Sequence, residues 1–373
     1  MIYYFSHIIN DTDIKRERCS ISSEAGRLRT IFIARAINKP VTIISMGVPT
    51  KKGYFRKKHK QIDENLNIMY LSSLNVLHLR YIYSTVCMFI FGLVNFKRND
   101  RIILYNSVPF HVFPMYILKL IFKLEIILEI EELYSSYKYS AIKQAIFNLA
   151  EYLGIRMSDK YIVCNKAIEQ KLPINKDILV NAGYKTNYKF DSNALNVSKK
   201  PLIVYTGRLD YEGGVDVFLK SIPYIKTPCE VVISGSGELK EIIENYKNCS
   251  NPTVGYKYMG FLDRSEYEDL LLRATVGINP TRSLSAFGQY SFPSKVYQYL
   301  EFGNMVVSSQ TPSITEIDNS LQPFIYYYDN DSPNSLANAI DCCLKNSVIK
   351  NHITDAVNKI FEKQIDKINS LLR

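Results

Sequence analysis

The 373-residue sequence lacks several features by which classes of protein are recognised. Its seven cysteines are odd in number and include no CxxC pair, so we expect no disulfide framework and a reducing compartment. Met1 leads directly into the apolar run Ile2–Phe5 without a basic region, so we expect no signal peptide. The most apolar uncharged run, Tyr81–Phe96, has about 16 residues, short of the roughly 20 that cross a bilayer. It predicts a buried or interfacial helix.

The charge is distributed unevenly between the two halves of the chain. Residues 1–190 contain 28 Lys and Arg against 15 Asp and Glu, an excess of 13 positive charges. Residues 191–373 contain 18 against 21, an excess of three negative charges. A basic half joined to a nearly neutral half indicates that one half faces something anionic, such as phospholipid head groups, nucleic acid or a phosphorylated substrate.

Short β-rich runs alternate with longer helical patterns, without sequence repeats or low-complexity segments. This alternation is typical of parallel sheets with right-handed crossovers. Because twelve strands are too many for one sheet, we predict an α/β protein with two doubly wound domains. The predicted strands are Ile2–Phe5, Val41–Ser45, Leu66–Leu71, Arg101–Tyr105, Glu125–Ile130, Tyr161–Cys164, Leu202–Tyr205, Glu230–Ser234, Tyr256–Met259, Val276–Asn279, Met305–Ser308 and Phe324–Tyr328.

The polar segment Lys189–Lys200 predicts the break between the domains, since it has no apolar period and coincides with the change of charge. We assign residues 1–188 to the first domain and 201–345 to the second. Residues 346–373 contain a helical pattern, over about Asn351–Leu372, that we expect to pack back toward the first domain. Ligands of open parallel sheets bind beyond the carboxyl ends of the strands, so we expect the site in a cleft between the domains.

Two glycine-rich loops follow strands of the second half. In "YTGRLDYEGGVDVF", Gly207, Gly213 and Gly214 let the backbone approach a ligand, and Arg208 offers donors suited to phosphate. In "VVISGSGELKEII", Gly235 and Gly237 open a helix, where free N–H groups favour an anion. Each loop taken alone is also compatible with a tight turn.

A third loop, "YMGFLDRSEYEDLL", repeats the strand–turn–helix order around Gly260 and Phe261. Asp263 and Glu266 have the spacing of a capping box, which is a structural role. "DND" at Asp329–Asp331 has the pattern of a metal-binding DxD, but Ser332 and Pro333 follow it and favour a helix cap. We therefore predict no metal site there.

The segment "SFPSKVYQYLEFG" predicts a helix with Pro293 in its first turn and Gly303 beyond its end. Its start carries partial positive charge, to which Ser291, Ser294 and Lys295 add donors and a cation. Gln298 lies one turn further on the same face. This arrangement suits a pyrophosphate at the helix start and a sugar hydroxyl beyond it, although a capped amphipathic helix explains the same residues.

Taken together, these segments resemble glycosyltransferase family 4, the group 1 retaining glycosyltransferases. The resemblance covers about Pro201–Ile340, and in the first half only Glu24-Ala25-Gly26-Arg27 and the element order are similar. It implies the GT-B fold, with two Rossmann-like domains facing across a cleft, and transfer of a sugar from a nucleotide diphosphate donor. The acceptor would bind the first domain and the nucleotide sugar the second.

The resemblance also implies roles for individual residues. Arg208 and Lys295 would hold the diphosphate, Phe261 would lie near the base, and Gln298 would bond the ribose. No cofactor or metal is implied beyond the donor substrate itself. The donor-binding set would be completed by Gly207, Gly213, Gly235, Gly237, Tyr290, Ser291, Phe292, Pro293 and Ser294.

Two positions depart from the pattern of that family. Many members have Lys where this chain has Gly213, so Lys295 is the expected second phosphate cation. The usual helix glutamate is Gln298 here, and its partner eight residues earlier is Tyr290. Gln can bond a ribose but carries no charge, so donor choice and activity are open at this point.

The first half offers candidate residues for the acceptor side. Glu131 and Glu132 follow a buried strand, where they would contact the donor sugar or an acceptor hydroxyl, or else form ion pairs at a helix start. His7 follows the first strand, in a loop with Asn10 and Asp11, and Gly26 and Arg27 lie at a helix start. These three residues would flank the cleft, although a lone His is more often structural.

The segment "KKGYFRKKHK", Lys51–Lys60, contains six Lys and Arg and two aromatic residues. Each cation near an anionic leaflet contributes about 1 kcal/mol to the free energy of membrane binding. With the apolar runs Tyr81–Phe96 and Phe110–Ile121, it indicates peripheral contact with an anionic membrane, at the cytoplasmic face of the plasma membrane. A solvated loop is an equal alternative, and nucleic-acid binding is not expected because no recognised module accompanies the patch.

The sequence thus predicts a metal-independent, hexosyltransferase-type enzyme of cell-surface polysaccharide biosynthesis with a lipid-linked glycan acceptor. A nucleotide-sugar epimerase of the same fold, or a non-catalytic partner subunit of a glycosyltransferase, are the alternatives. Oligomeric state, donor, acceptor and linkage are not predicted.

Overall fold

The computed structural model describes residues 1–8, 24–46, 53–74, 76, 79–180, 185, 200–247, 251–292, 294–329, 331–346 and 348–373. The chain divides into two units. The first comprises Met1–Tyr184 together with Lys363–Arg373, and the second comprises Lys185–Glu362.

The first unit is built on an eight-stranded sheet of order β10-β9-β8-β7-β1-β2-β5-β4, which is parallel except for the antiparallel edge strand β4. A short antiparallel pair, β3 with β6, lies outside it. The ten strands are β1 (Ile2–Phe5), β2 (Val41–Met46), β3 (Tyr54–Phe55), β4 (Lys58–Gln61), β5 (Leu66–Leu71), β6 (Ser73–Leu74), β7 (Arg101–Tyr105), β8 (Glu125–Ile130), β9 (Lys160–Val163) and β10 (Asp177–Val180).

Helices connect these strands as crossovers. They are α1 (Glu24–Ala36), α2 (Leu79–Asn95), α3 (Pro109–Phe122), α4 (Ala141–Met157) and the short α5 (Lys166–Glu169), with a 3₁₀ turn at Tyr134–Ser136. The central strands are buried on both faces, as Ile102, Ile103, Ile126 and Ile127 show, because helices cover both sides of a doubly wound sheet.

The second unit has a six-stranded, wholly parallel sheet of order β13-β12-β11-β14-β15-β16. Its strands are β11 (Leu202–Arg208), β12 (Cys229–Ser236), β13 (Val254–Tyr258), β14 (Val276–Asn279), β15 (Met305–Ser309) and β16 (Ile325–Tyr328). Its helices are α6 (Val215–Ser221), α7 (Lys240–Glu244), α8 (Arg264–Arg273), α9 (Ala286–Tyr290), α10 (Ser294–Glu301), α11 (Pro312–Thr315) and α12 (Pro333–Lys345), with 3₁₀ turns at Ile222–Tyr224 and Gln322–Phe324.

The last helix, α13 (Lys350–Leu371), begins in the second unit and ends in the first. At its end, the carbonyl oxygen of Leu371 accepts a hydrogen bond from Lys160 Nζ at 2.7 Å, and that of Leu372 accepts one from Arg101. At its start, Lys350 Nζ donates to the carbonyls of Leu272 and Ala274 at 2.8 and 2.7 Å. The end of this helix is thus held by donors of the first unit, while its first residue donates to carbonyls of the second.

All twelve predicted strands are present, with bounds within three residues of those observed. The prediction of two doubly wound α/β domains is confirmed. The alternative that the basic segment Lys51–Lys60 is a solvated loop is wrong in part, because Lys58–Gln61 forms β4 and pairs antiparallel with β5. Lysines on a sheet edge discourage further strand pairing. Lys51 and Lys52 lie outside the described residues. None of the described helices is long and apolar enough to span a membrane.

Candidate active site

The carboxyl edge of the second sheet collects the glycine-rich loops predicted from the sequence. β11 and β12 end side by side, with Gly207 opposite Gly235. A Cβ atom on Gly235 would lie 1.8 Å from the carbonyl oxygen of Gly207, and one on Gly214 would lie 1.8 Å from that of Pro280. Both residues also have positive φ, of 144° and 72°, so any other residue would force these backbones apart.

Arg208 lies at the end of β11 with an exposed side chain. Its Nε is 3.2 Å from Asp210 Oδ2, and its guanidinium lies 4.9 Å from the centre of the Phe287 ring. Stacking on an aromatic ring holds the planar group while leaving its N–H donors open to an anion. Arg208 is therefore a preorganised, solvent-accessible guanidinium whose N–H groups could bind an anion.

Gly213 has a structural reason to lack a side chain. Its backbone N–H donates to Asp210 Oδ1 at 2.7 Å, and a Cβ atom there would lie 2.9 Å from the same oxygen. Asp210 is thus shared between Gly213 and Arg208. A lysine at this position would require Asp210 to move, which explains locally why the second cation comes from elsewhere.

The loop around Gly237 folds differently from the expected helix start. α7 begins at Lys240, three residues after Gly237, and the N–H of Leu239 already donates to the carbonyl of Leu209 at 2.9 Å. Gly237 instead allows the loop that follows β11 to approach its backbone closely, since a Cβ atom on Gly237 would lie 2.4 Å from the Leu209 carbonyl oxygen. Gly237 therefore contributes to the site by letting two loops pack together.

The predicted donor helix is α10, which begins at Ser294 and ends at Glu301. Gly303 follows in the left-handed conformation, with φ 72°, as predicted for its cap. Pro293, a predicted donor-binding residue, lies outside the described residues. Tyr290 ends α9, and Ser291 caps it, with its N–H donating to the Phe287 carbonyl at 3.1 Å.

Phe287 connects the two cationic segments. Its ring carries the Arg208 guanidinium, and its carbonyl oxygen accepts hydrogen bonds from the Ser291 backbone and hydroxyl. Phe292 is buried, with its ring 5.2 Å from that of Tyr297. This places the start of α10 beside the end of β11, although their residues are far apart in sequence.

Tyr267 joins the two functional side chains of α10, and sequence reasoning missed it. Lys295 Nζ lies 4.4 Å from the centre of the Tyr267 ring and 3.2 Å from its hydroxyl oxygen. That hydroxyl donates to Gln298 Oε1 at 2.6 Å. Gln298 is only 3% exposed. The carbonyl end of its amide is thus held by Tyr267 at a buried position.

The loop after β13 presents Phe261 to solvent. This side chain is 82% exposed, an unusual state for a large aromatic group. Gly260, with φ 67°, precedes it. Behind the loop, the capping box predicted for Asp263 and Glu266 is confirmed, with both backbone N–H···carboxylate distances at 3.0 Å. The helix start is rigid while the aromatic side chain is open to a planar partner.

The aspartates of the DND segment have structural partners. Ser332 caps α12, its hydroxyl accepting from the Ser335 N–H at 3.2 Å. Asp331 Oδ1 lies 2.5 Å from an Arg282 nitrogen. Asn330 lies outside the described residues. Among the described residues, no group of three or more His, Cys, Asp or Glu could hold a metal ion.

In the first unit, the carboxylates at the end of β8 and directly after it are arranged in two layers. Glu129 is fully buried and accepts hydrogen bonds from Tyr4 and from Arg29. Glu131, 7% exposed, accepts one from Tyr105. Burial and the nearby Glu131 carboxylate raise the pKa of Tyr105 well above its usual value. Glu129 is therefore structural, and Glu131 lies nearer the surface.

Asn106 shapes the turn that carries the two predicted acidic residues. Its Oδ1 accepts from the backbone N–H groups of Glu131 and Glu132, at 2.8 and 3.2 Å. Asn106 has φ 56°, a left-handed conformation that Asn tolerates better than most residues. Glu132 is half-buried. The two glutamates are thus positioned by one side chain of the preceding crossover.

His7 lies at the carboxyl end of β1 in an aromatic cluster. Its ring centre is 4.6 Å from that of His111 and 4.5 Å from that of Phe110. Burial lowers the pKa of His7 to about 4, so it is neutral at physiological pH. The predicted residues Gly26 and Arg27 lie in the first turn of α1, and both are buried.

Comparison with known proteins finds a family match within the second unit. Residues 200–346 match the family Glycosyl transferases group 1. This confirms the predicted resemblance to group 1 glycosyltransferases, while membership of family 4 and the retaining mechanism stay predictions. An uncharacterized glycosyltransferase of Methanocaldococcus jannaschii is 23% identical over 249 residues, covering 60% of this chain and 61% of the relative. The alignment thus spans less than two thirds of that relative's length.

Two solved structures show that the fold is GT-B. Sucrose-phosphate synthase from Thermosynechococcus elongatus is similar with a TM-score of 0.73 and 13% identity, covering 100% of this chain and 98% of that one. HepE of Anabaena, solved in complex with UDP, has a TM-score of 0.65 and 12% identity, with coverage of 100% and 98%. The predicted fold is therefore confirmed, and the comparisons support a glycosyltransferase.

Proposed function

We propose that the protein is a retaining glycosyltransferase that moves a hexose-type sugar from a nucleotide diphosphate donor to a hydroxyl group. The observation that carries this proposal is the joining of Arg208 and the start of α10 through Phe287. Two cations and a helix N-terminus at the carboxyl edge of one Rossmann-like sheet suit a diphosphate. The UDP complex of the similar HepE supports a nucleotide diphosphate as donor.

The roles of the residues follow from their chemistry. Departure of the nucleotide diphosphate leaves negative charge, which Arg208 and Lys295 stabilise without a metal ion. The exposed Phe261 ring stacks on the base, and Gln298 bonds a ribose hydroxyl. Tyr267 holds both Lys295 and Gln298 in position for these contacts.

The acceptor belongs to the first unit in this proposal. Glu131 and Glu132, held by Asn106, provide carboxylates toward the donor sugar or the acceptor hydroxyl. We propose a lipid-linked glycan as acceptor, in cell-surface polysaccharide synthesis at the cytoplasmic face of the plasma membrane. The basic excess of residues 1–190 supports contact with anionic lipid.

The donor assignment is tested by thermal stabilisation of the protein with a panel of sugar nucleotides, followed by transfer assays with the stabilising donor. Arg208→Ala and Lys295→Ala should each reduce transfer about 100-fold or more, as loss of one charge-stabilising donor does elsewhere, and should abolish donor stabilisation. Their melting temperatures without donor should match the wild type. Full activity in both variants would refute the diphosphate assignment.

Matched controls are Lys220→Ala and Arg273→Ala, which remove exposed cations of the second unit that pair only with acids one turn earlier on their helices. Both should keep wild-type transfer. Incubating the donor without an acceptor separates the alternatives: an isomerised sugar indicates an epimerase, and donor binding without turnover indicates a non-catalytic partner subunit.

A further inference from the structure

Exposed apolar side chains are concentrated on three helices of the first unit. Of the 25 large apolar side chains that are exposed among the described residues, seven lie on α2, four on α3 and four on α4. Single exposed apolar residues are normal on soluble proteins, whereas a contiguous group marks an interaction site. Fifteen on three helices therefore require an explanation.

The three helices form one continuous surface. α3 lies between the other two: a Cβ atom on Gly92 of α2 would lie 2.3 Å from the Leu118 side chain of α3, and one on Gly154 of α4 would lie 3.4 Å from that of Val112. α2 leads into β7, α3 links β7 to β8, and α4 links β8 to β9. At each of these connections the chain moves across the sheet in the same direction, toward β9. Right-handed crossovers therefore place them on the same side of it.

Each helix has two distinct apolar sides. Met88 and Phe91 of α2 and Met115 of α3 pack inward and are at most 5% exposed. The opposite sides carry residues at helical spacing that are 48–72% exposed, among them Val86, Ile90, Leu120 and Ile121. We call this outer surface of α2, α3 and α4 the apolar helix face. The inner sides are buried in the core of the first unit, whereas the outer sides are exposed and can bind a partner.

Positive charges predominate around this surface, although α4 contains Glu151 beside Lys143 and Arg156, and Lys119 pairs with Asp159. The segments Leu79–Asn95 and Pro109–Phe122 contain one Arg and one Lys, Arg80 and Lys119, and no Asp or Glu. Lys97, Arg98 and Lys123 follow directly after their ends. The nearby Asp100 is buried and pairs with the amino group of Met1 at 2.7 Å. Basic residues at the border of an apolar surface complement anionic lipid head groups.

We propose that the apolar helix face inserts into the boundary between head groups and acyl chains of an anionic bilayer. The three helices lie along the surface, their aliphatic side chains replace water by lipid, and the flanking cations contact head-group phosphates. Tyr81, Tyr116 and Tyr152 are exposed on the same helices, and tyrosine is enriched at the membrane–water interface. A second copy of the chain would suit this surface less well, because it would bring the basic helix ends of two molecules together.

This surface differs from the basic segment Lys51–Lys60 in how it binds. Attraction between the basic segment and lipid is electrostatic and weakens as salt rises. Burial of aliphatic side chains is not screened by salt. The inference rests on the membrane contact proposed above and names the surface that makes it.

The experiment is flotation of the protein with vesicles of phosphatidylcholine and phosphatidylglycerol, without sugar nucleotide, at 0.1 and 1 M NaCl. The wild type should bind at both salt concentrations. The double variant Ile90→Glu/Leu120→Glu should bind about tenfold or more weakly, because two charges would enter the acyl boundary. Both positions are exposed, so its circular dichroism and melting temperature should match the wild type.

The matched control is Ile174→Glu/Ile242→Glu, which places the same charges at exposed apolar positions outside the face, 96% and 56% exposed. This variant should bind vesicles like the wild type. Equal binding of the two double variants, or binding lost entirely in 1 M NaCl, would overturn the proposal. The proposal would also be overturned if the wild type did not bind vesicles. Sedimentation as a dimer that dissociates in the Ile90→Glu/Leu120→Glu variant would then show that a second copy covers the face. Donor stabilisation is measured separately, so failure here leaves the sugar-transfer proposal standing.

Discussion

The two units share one architecture but use their ionisable groups differently. In the first unit, the ion pair between Arg29 and Glu129 is completely buried within the fold. In the second, Arg208 is exposed at the end of the strand nearest the centre of the sheet. The first unit thus uses one arginine as a buried structural ion, while the second presents one to solvent at a strand end. Net charge alone did not indicate where a phosphate would bind.

The largest effect expected from this difference is on stability. Arg29→Met removes one partner of a fully buried pair and leaves Glu129 without its cation. We expect the free energy of unfolding, from urea titration, to fall by about 3–5 kcal/mol. Arg35→Ala is the matched control on the same helix, because its pair with Asp63 is exposed, at 3.1 Å. Arg35→Ala should lower the free energy of unfolding by less than about 1 kcal/mol. Similar losses in the two variants would show that burial of the pair is not what distinguishes the first unit.

A smaller effect concerns pH. Burial lowers the pKa of His7 to about 4 from its usual 6.5, so the unfolded chain binds a proton in a range where the folded protein does not. Stability should therefore fall as pH decreases from about 6.5 to 4, by up to about 3 kcal/mol from this group. The adjacent His111, whose pKa is also lowered by burial and by His7, acts in the same direction.

His7→Phe keeps an aromatic ring in the cluster and removes the titrating group. Its stability should depend less on pH than that of the wild type over this range, as measured by thermal denaturation at a series of pH values. His59→Phe changes an exposed residue of the edge strand β4 and should leave the slope unaltered. An unchanged slope in His7→Phe would argue that acid sensitivity arises elsewhere.

The smallest predicted effect concerns the hydroxyl group of Tyr267 in the second unit. Tyr267→Phe keeps the ring beneath Lys295 but removes the hydroxyl that bonds Lys295 and Gln298. We expect the KM for the donor to rise about three- to tenfold, since a hydrogen bond contributes roughly 1 kcal/mol, with kcat nearly unchanged. Tyr224→Phe, exposed elsewhere in the unit, should have no effect. A fall in kcat at constant KM would make Tyr267 more than a positioning residue.

The sequence predicted the strands well because each has a local signal, a short apolar run between turn residues. The same holds for the capping box of α8 and the glycine cap of α10. The edge strand β4 in the basic segment was missed because its residues, Lys58–Gln61, are polar and show no apolar alternation, so that only its pairing with β5 reveals it. Tyr267 was missed because nothing near position 267 indicates a partner at position 298.

The amino-acid sequence by itself determined the order of strands and helices, the unequal charge of the two halves, and the loops whose glycines and cations resemble a sugar-nucleotide site. These depend on local propensity and spacing, which a linear sequence records. Only the tertiary structure decided that Glu129 is a buried partner of Arg29, that Phe287 joins Arg208 to the start of α10, and that three helices leave one apolar side open. Each of these depends on which distant residues meet when the sheets form, and burial and pairing then fix what a charge or an apolar side chain can do.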